Sequence, residues 1–442
     1  VNMLDKNYYS MYQFKLDFEE ECRKVGSQKF EIALRRGKEE VAVKTLKILP
    51  SNRVSENTRF VERVVKTMIW AYGGYHLYLK GDDAVIDEIQ KIYSKTGERK
   101  FDVDFMSDVY QTPFVVEKVS GKMPKESRKA KMVGGNTKGR RIGFDAGGSD
   151  RKVTACIDGK VIFEKEVVWQ PKLNDDPTYH KAGILDSINM GLKALDGKVD
   201  AIGVSSAGIV IDDELRVSSL FIKVPKSKLK SHVFRIYKDL EEHYGVPVNV
   251  SNDGDIAALA GAEFLNSGKV LGLALGTSEA AGYIDKDMHI VGYLNELAFV
   301  PVDANRFAIK DEWSGDIGVG CKYHSQDAVI KLAPEAKIEI DKNLILSEKL
   351  IVVQDLANNK DKRALSIFEK LGEYLAYSIM WYKEFYDIEH VVLYGRVVSG
   401  TGGDTLIAKA QKLLDSLNSG VKLVLPDEMV RRLGQSYTAS TL

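Results

Sequence analysis

Residues 140–168 read RRIGFDAGGSDRKVTACIDGKVIFEKEVV, and this stretch decides the fold. The apolar run that ends at Asp145 predicts a strand, and the Gly147–Gly148 pair predicts a tight turn after it. The Asp158–Gly159 pair predicts a type I′ hairpin between two further strands. The sequence therefore predicts three consecutive antiparallel strands with a glycine-containing loop after the first.

The residues that follow predict helices alternating with strands. We expect a helix near 181–196, a strand in DAIGVSSAG (200–208), a helix near 226–244 and a strand in VPVNVSND (246–253). This β-α-β-α-β order is typical of a sheet covered by crossover helices.

The second half of the chain predicts a repeat of this plan. Residues 270–292 predict another glycine-turned hairpin, 364–386 a helix and 390–397 a strand, and a helix, a strand and a helix close the chain. We therefore expect two similar lobes, 141–262 and 263–442, each with three antiparallel strands and crossover helices.

Residues 1–117 predict a separate small α+β domain. An alternating pattern over 31–49 predicts a hairpin, and helical spacing from Phe60 ends at Gly73–Gly74. A short strand follows, and Asp82–Asp83 predict the cap of a second amphipathic helix.

Residues 118–140 form a basic, glycine-containing segment without a hydrophobic period, so we interpret them as a linker or loop. A solvated tether is favoured over a nucleic-acid patch because the segment has no aromatic residue that could stack on bases.

The composition argues against several classes of partner. Basic and acidic residues balance at 63 each, so no overall field attracts nucleic acid. Three well-separated cysteines without a CxxC pair predict reduced thiols and a cytoplasmic protein. No apolar run reaches the roughly 20 residues that cross a bilayer, so a membrane span is not expected.

Three glycine-containing loops follow predicted strands. In the first, Gly147, Gly148 and Ser149 follow Asp145. Glycines let backbone N–H groups approach phosphate oxygens, and a hydroxyl completes the cradle. Taken alone, the motif fits a plain hairpin turn equally well.

The other two loops lie at matching places in the second half. The equivalent strand-turn position holds Gly276, Thr277 and Ser278. A third cluster opens a helix after a strand, where its backbone could approach an adenosine or simply be a flexible loop; it contains Gly395, Gly400 and Gly402.

A polar pair ends the predicted strand at 246–253. A carboxylate there, Asp253, could accept the proton of a substrate hydroxyl that attacks a γ-phosphate, and the Asn252 amide could hold the same substrate. Alternatively, Asp253 or Asp255 caps the following helix. Both roles can be present together.

The ordered motifs DAGGS, SSAG, ND, LGTSEAAG, NELAF, GC and YGRVVSG resemble the ROK branch of the acetate and sugar kinase/Hsc70/actin superfamily over residues 141–442. The resemblance implies an α/β fold, the two-lobed actin-like (ribonuclease H-like) ATPase fold, here with an additional N-terminal α+β domain. It also implies ATP and Mg²⁺ as cofactors, a sugar or sugar-like substrate and a homodimer.

The resemblance assigns roles to the matching residues. Asp145 holds Mg²⁺ through water, and Asp253 is the general base. The residues that the resemblance implies for binding phosphate and nucleotide are Gly147, Gly148, Ser149, Gly276, Thr277, Ser278, Gly395, Gly400 and Gly402. Substrate contacts fall to Asn252, Gly208 and Glu296.

Some positions depart from the family. Phe299 replaces a histidine that is also a zinc ligand, and Cys321 with His324 is all that remains of a cysteine-rich zinc loop, so we expect no zinc site. Glu279 follows the second loop, where its carboxylate would repel a triphosphate unless it turns away or meets Mg²⁺.

The leading hypothesis is ATP-dependent phosphorylation of a sugar or sugar-like hydroxyl compound by a sugar kinase, a phosphotransferase with an alcohol group as acceptor. One alternative is a non-catalytic sugar- or nucleotide-binding regulator of the ROK type, and another is an ATPase coupled to a partner protein. Residues 1–117 contain no recognisable helix-turn-helix, so the sequence does not favour a DNA-binding repressor.

Overall fold

The computed structural model describes residues 4–128, 134–426 and 428–442, without the side chains of 428–433. The described chain forms two compact units. The first unit comprises 4–128, 273–281 and 293–425, and the second comprises 134–272, 282–292 and the C-terminal residues from 426. The boundaries of the four predicted domains stay predictions.

Thirteen helices lie within the described residues. They are α1 (Met11–Val25), α2 (Val54–Tyr72), α3 (Asp83–Ile92), α4 (Lys100–Tyr110), α5 (Pro177–Ala194), α6 (Lys226–Lys228), α7 (Asp239–Tyr244), α8 (Asp253–Leu265), α9 (Gln326–Leu332), α10 (Leu346–Asn358), α11 (Lys362–Tyr382), α12 (Gly400–Ser416) and α13 (Glu428–Ser440). Of these helices, none combines the length and apolarity needed to cross a lipid bilayer.

The described strands form three main sheets and a small hairpin. They are β1 (Gln28–Gly37), β2 (Glu40–Ile48), β3 (His76–Lys80), β4 (Val115–Lys118), β5 (Arg140–Ala146), β6 (Asp150–Ile157), β7 (Lys160–Val168), β8 (Ala201–Ser206), β9 (Ile209–Ile211), β10 (Glu214–Val217), β11 (Val248–Asn252), β12 (Val270–Leu275), β13 (Glu279–Ile284), β14 (His390–Tyr394) and β15 (Lys422–Val424).

The sheet of the second unit has the order β11-β8-β5-β6-β7. The three consecutive antiparallel strands predicted from residues 140–168 are confirmed, and β8 and β11 extend the sheet in parallel. Buried apolar side chains of β5, β6, β8 and α5 form the core, including Phe144, Val153 and Ile188.

The C-terminal helix α13 packs against this same sheet. A Cβ atom at Gly143 would lie 1.7 Å from the carbonyl oxygen of Ser436, and one at Gly203 would lie 1.7 Å from that of Ala439. Only glycine at these two strand positions lets the helix backbone approach so closely.

In the first unit, the N-terminal sheet has the order β2-β1-β3-β4. The predicted hairpin is confirmed as β1 and β2, and α2 ends at Gly73 as expected. Residues 118–140, predicted to be a linker or loop, include a β-bridge from Ser127 to Val41, and the part at 129–133 lies outside the described residues.

The prediction of a third antiparallel strand in the second half was wrong for the described chain. The sheet there has the order β13-β12-β14-β15, and after β13 the chain makes only an isolated bridge between Ile284 and Ile290. Residues 294–296 donate their backbone N–H groups to the last carbonyls of α2 instead. Helix-end carbonyls lack partners within the helix, so they accept these bonds readily.

The helix predicted near 226–244 is interrupted. The chain forms α6, a π-helical turn over Leu229–Val233, and then α7. The backbone N–H of Leu215 donates to the carbonyl oxygen of Phe234, which occupies an oxygen that a continuous helix would use.

Candidate active site

Three parallel strands of the second unit end at one edge of their sheet. The register pairs Asp145 of β5 with Ser205 of β8, and Ser205 with Ser251 of β11. Asn252 and Asp253 follow directly. The carboxyl ends of parallel strands are where open α/β sheets bind ligands, so this edge brings the two predicted acidic residues to a suitable position.

Asp145 lies in a buried environment at the end of β5, with 7% of its surface exposed. Burial raises the pKa of its carboxyl group to about 6, and the negative charge of Asp253 adds to the rise. The Ser205 hydroxyl and the positive charge of Lys152 lower the same pKa. A bound cation would favour the charged form of Asp145.

Asp253 is the first residue of α8, and burial also raises its pKa, to about 6. Its Oδ1 accepts a hydrogen bond from the backbone N–H of Gly254 at 2.9 Å. A carboxyl group whose pKa lies this close to neutrality is well matched to accept a proton near pH 7.

Asn252, and neither aspartate, is the N-cap of α8. Its Oδ1 accepts from the Gly254 N–H at 2.7 Å, and its Nδ2 donates to the carbonyl oxygen of Gly208. The prediction that Asp253 or Asp255 caps this helix was therefore wrong, because the asparagine one position earlier reaches the same N–H. Asp255 is buried and accepts from the backbone N–H of Tyr283 at 3.2 Å.

Gly208 has a conformation that only glycine adopts easily. Its φ is +118°, and a Cβ would lie 2.1 Å from the carbonyl oxygen of Val217. Its carbonyl group is the acceptor for Asn252, so the loop after β8 and the start of α8 are joined through this glycine.

The first glycine loop is fixed by Trp169. Trp169 donates its indole N–H to the carbonyl oxygen of Gly147 at 2.8 Å and its backbone N–H to that of Ser149 at 3.1 Å. A Cβ at Gly147 would lie 2.7 Å from the Asp150 carbonyl oxygen. The Ser149 hydroxyl donates to the Asp150 carboxylate at 2.9 Å.

Two lysines near this loop were not identified from the sequence. Lys152 lies opposite Asp145 in the β5–β6 register, and that register follows from the hairpin, so the sequence contained the signal. Lys172 follows β7, and its Cε and Nζ lie 3.0 Å from where a Gly148 Cβ would be. No sequence motif identifies Lys172, because it lies in a turn 24 residues after Gly148.

The second glycine loop belongs to the first unit. The Gly276 N–H donates to the Ser278 carbonyl oxygen at 3.0 Å, and the Gly276 carbonyl oxygen accepts from the Gln326 N–H at 2.9 Å. The side chains of Thr277 and Ser278 are exposed. The loop is therefore closed by its own backbone and presents two hydroxyl groups outward.

Glu279, which follows this loop, is buried. Its Oε1 lies 3.1 Å from Nδ1 of His324 and accepts from the Tyr382 hydroxyl at 3.4 Å. A Cβ at Gly320 would lie 2.2 Å from Oε2 of Glu279, so a glycine makes room for the carboxylate. The side chain thus points into a protein-lined site beside an imidazole.

The third glycine cluster meets the second one within the first unit. Gly395 has a φ of +97°, and a Cβ there would lie 2.2 Å from the carbonyl oxygen of Leu275, the residue before Gly276. Gly402 packs against the ring of Phe368, where a Cβ would lie 2.5 Å from a ring carbon. Gly400 has a φ of +66° at the start of α12.

The residues predicted to replace the zinc motif have other surroundings. Phe299 lies in an aromatic cluster, with ring centroids 4.4 Å from Trp70 and 5.5 Å from Trp313. Burial raises the pKa of the Cys321 thiol, which favours the uncharged form. Glu296 donates its backbone N–H to the carbonyl oxygen of Trp70 at 3.0 Å, and its contact with substrate stays a prediction.

Comparison with known proteins identifies the region that contains Asp145 and Asp253. The model of the ROK family matches residues 141–292. Residues 141–292 are therefore similar to the ROK family, and we call them the ROK segment. The ROK segment contains β5 to β13, and therefore the first two glycine loops.

Solved structures of ROK proteins are similar in fold to a part of this chain that is longer than the ROK segment. The ROK hexokinase of Thermus thermophilus superposes with a TM-score of 0.54 at 17% identity, over 68% of this chain and 97% of that chain. A ROK family transcriptional regulator homologous to the E. coli MLC protein superposes with a TM-score of 0.52 at 14% identity, over 69% of this chain and 79% of that chain. A ROK family protein of Streptococcus pneumoniae TIGR4 in complex with sucrose superposes with a TM-score of 0.50 at 12% identity, over 68% of this chain and 96% of that chain.

Likeness at these identities establishes the fold, which is the predicted α/β, two-lobed actin-like fold. No curated protein matches the chain. Because the similar structures include both a kinase and a transcriptional regulator, the family by itself does not distinguish catalysis from regulation.

Proposed function

We propose that the protein is a sugar kinase that transfers the γ-phosphoryl group of Mg²⁺-ATP to a hydroxyl group of a sugar or sugar-like compound. One observation carries the proposal. The ROK segment brings the buried carboxyl group of Asp145 and the half-buried carboxyl group of Asp253 to one edge of three parallel strands, and desolvation raises the pKa of each to about 6. Phosphoryl transfer needs a cation-binding carboxylate and a proton acceptor of this kind.

In this proposal, Asp253 accepts the proton of the attacking hydroxyl group. Its burial keeps bulk water from stabilising the charge, so the carboxylate is a stronger base than an exposed aspartate. The hydrogen bond from the Gly254 N–H to Oδ1 of Asp253 fixes the orientation of the carboxylate.

Asn252 has capacity left for a sugar hydroxyl. An amide oxygen accepts two hydrogen bonds and an amide nitrogen donates two, and the structure uses one of each, to Gly254 and Gly208. We therefore propose that Asn252 both caps α8 and binds the substrate.

Asp145 and the first glycine loop fit a magnesium–phosphate group. Asp145 would hold the cation through water, and the backbone of 147–149 together with Lys172 would face phosphate oxygens. When bound, Mg²⁺ would neutralise phosphate charge. The Ser205 hydroxyl, which lowers the pKa of Asp145, lies at the same edge of the sheet.

Glu279 does not weigh against a bound nucleotide. The sequence raised the concern that its carboxylate would repel a triphosphate, but the side chain is buried beside His324 and Tyr382. The second loop therefore offers Gly276, Thr277 and Ser278 to a nucleotide without a carboxylate among them, and Gly395 and Gly400 follow at the third cluster. These contacts belong to the proposal.

The experiment is ADP release from Mg²⁺-ATP over a panel of hexoses, amino sugars and polyols. We expect turnover with at least one compound and a loss of about 10²-fold or more in Asp253→Asn. Asp196→Asn, an equal change at an exposed turn, is the matched control and should keep full activity.

Absence of turnover with every compound, while sugar or nucleotide still raises the melting temperature, would contradict the proposal. That outcome would favour the alternative of a non-catalytic ROK regulator.

A further inference from the structure

A cavity of about 360 Å³ lies in the first unit, and its lining contains none of the residues assigned to the proposed reaction. Its walls come from the first part of α2, from the α3–α4 region and from residues 303–317. Small-molecule sites in proteins usually measure about 300–1,000 Å³, so the cavity could hold a small metabolite.

Three buried charged residues of the lining, Glu62, Arg63 and Arg99, belong to a larger balanced set. The set contains three cations and three carboxylates, namely Arg63, Lys66, Arg99, Glu62, Asp102 and Asp316. Arg63 and Arg99 contact Glu62 at 2.6 and 2.7 Å. Burial alone would raise the pKa of Glu62, but these two arginines hold it at about 2. The positive and negative charges of the set therefore balance one another.

Two further arginines line the same cavity without a carboxylate partner. Arg59 donates to the carbonyl oxygen of Ala304, and its guanidinium lies 4.8 Å from the ring centroid of Phe14. Arg306 is exposed at the cavity. Across residues 4–128 and 134–426, neither forms an ion pair. Burial lowers the pKa of Arg59, and the charge of Arg306 lowers it further, so the two guanidinium groups repel each other.

The other carboxylates of the lining are already engaged. Glu98 contacts Arg99 at 3.2 Å. Asp303 accepts from the Tyr323 hydroxyl at 2.7 Å and from two backbone N–H groups, those of Tyr9 and Asn305. Within the described chain, no carboxylate of the lining forms an ion pair with Arg59 or Arg306.

A hydroxyl group in the same wall also lacks a partner. Thr58 lines the cavity with 9% of its surface exposed, and its Oγ1 has no hydrogen-bond partner among the described residues. A buried hydroxyl without a partner costs free energy unless a ligand or water satisfies it.

We infer that this cavity binds a small phosphate-bearing anion, held between the guanidinium groups of Arg59 and Arg306. Arginine pairs bind phosphate oxygens through charge-assisted, often bidentate hydrogen bonds. An anion between them would replace their repulsion by attraction. The volume leaves room for a sugar-sized group beside the phosphate, so both free phosphate and a sugar phosphate have the required chemistry.

The ligand would join two parts of the first unit. Arg59 belongs to α2, and Arg306 belongs to the segment 303–317. Because a ligand that binds only the folded state stabilises it, the anion would raise the melting temperature. This inference does not rest on the proposed kinase function.

The test is isothermal titration of the full chain, without nucleotide, using inorganic phosphate, glucose 6-phosphate and glucose. We expect the phosphate compounds to bind, glucose alone not to compete, and both Arg59→Gln and Arg306→Gln to raise Kd at least tenfold. Lys310→Gln, an equal loss of charge from the same segment, is the control and should leave Kd unchanged.

Asp253→Asn separates this site from the proposed reaction, because it should bind glucose 6-phosphate as the wild type does. A lower Kd for glucose 6-phosphate than for phosphate assigns the cavity to the organic phosphate, and the reverse order assigns it to free phosphate. Absence of binding by either compound overturns the inference, and so does binding that Arg306→Gln leaves unchanged. Since Arg306 is exposed, this variant tests the site even if Arg59→Gln fails to fold.

Discussion

The loop after β5 and the loop after β12 have the same pattern of a strand, a glycine turn and a hydroxyl residue, but their acidic residues lie in different surroundings. Asp145 ends its strand beside Ser205 and Lys152, at the edge where parallel strands finish. Glu279 begins the strand after its loop and is buried next to His324 and Tyr382.

This difference shows that a repeated loop pattern fixes the backbone but not the role of the neighbouring carboxylate. Asp145 has groups around it that could share a cation, whereas Glu279 has an imidazole at 3.1 Å and a glycine, Gly320, that leaves it room. We therefore propose that Asp145 binds a ligand and that Glu279 stabilises the fold.

Removing the charge at each of the two carboxylates separately should give the largest difference between the two loops. Asp145→Asn and Glu279→Gln change charge with little change of shape. We expect Asp145→Asn to lower the rate of ADP release by about 10²-fold or more, because a cation-binding carboxylate is lost. Glu279→Gln should stay within about threefold of the wild type, since its side chain faces His324. Equal losses in both variants would contradict the assignment of different roles.

The stability of the Glu279 site gives the next largest effect. Glu279→Ala leaves His324 and Tyr382 without their partner in a buried site, so we expect a loss of about 3 kcal/mol in the free energy of unfolding. Urea denaturation measures it, with Glu339→Ala at an exposed position as the control. A loss no larger than that of the control would show that the buried contact contributes little.

The sequence predicted the local structure well where neighbouring residues determine it. The hairpins over 31–49 and 140–168 followed from alternation and turn residues, and the Asp145–Lys152 register could have been derived from the second hairpin. Asn252 at a strand end was also identified, although its capping role was given to the aspartates that follow.

Features that depend on distant residues could not be predicted. The packing of α13 on β5 and β8 requires Gly143 and Gly203 to face a helix that lies at the far end of the chain. The burial of Glu279 depends on His324 and Tyr382. After β13 the described chain makes only an isolated bridge between Ile284 and Ile290 in place of the predicted third strand, and the next residues, 294–296, bond to the end of α2.

The pH dependence of stability should distinguish the two regions further. The pKa of Asp145 is about 6 in the folded protein and 3.8 ordinarily, so the folded state binds more protons than the unfolded chain between these values. The wild type should therefore lose stability as the pH rises from about 4 to 6, by about 2 kcal/mol from this group. Asp145→Asn should lose less stability than the wild type over this pH range, and Asp196→Asn should lose as much as the wild type. Identical pH profiles for all three proteins in urea denaturation would rule out the raised pKa.

The smallest expected effect concerns the cap of α8. Asn252→Ala removes one of the two acceptors of the Gly254 N–H and the donor to Gly208, so we expect a loss of about 1 kcal/mol in stability. Thermal unfolding measures it, with the exposed Asn343→Ala as the control. An unchanged melting temperature would show that the cap is dispensable.

The pH profile of kcat/KM for the best sugar, at saturating Mg²⁺-ATP, shows whether Asp253 is the general base. If Asp253 accepts the hydroxyl proton, kcat/KM should rise about tenfold per pH unit below pH 6 and level off above it, because the charged carboxylate is the active form. Asp253→Asn should be slow and lack this rise. A profile that is flat from about pH 5 to 8, or one that Asp253→Asn reproduces at the wild-type rate, would contradict the account.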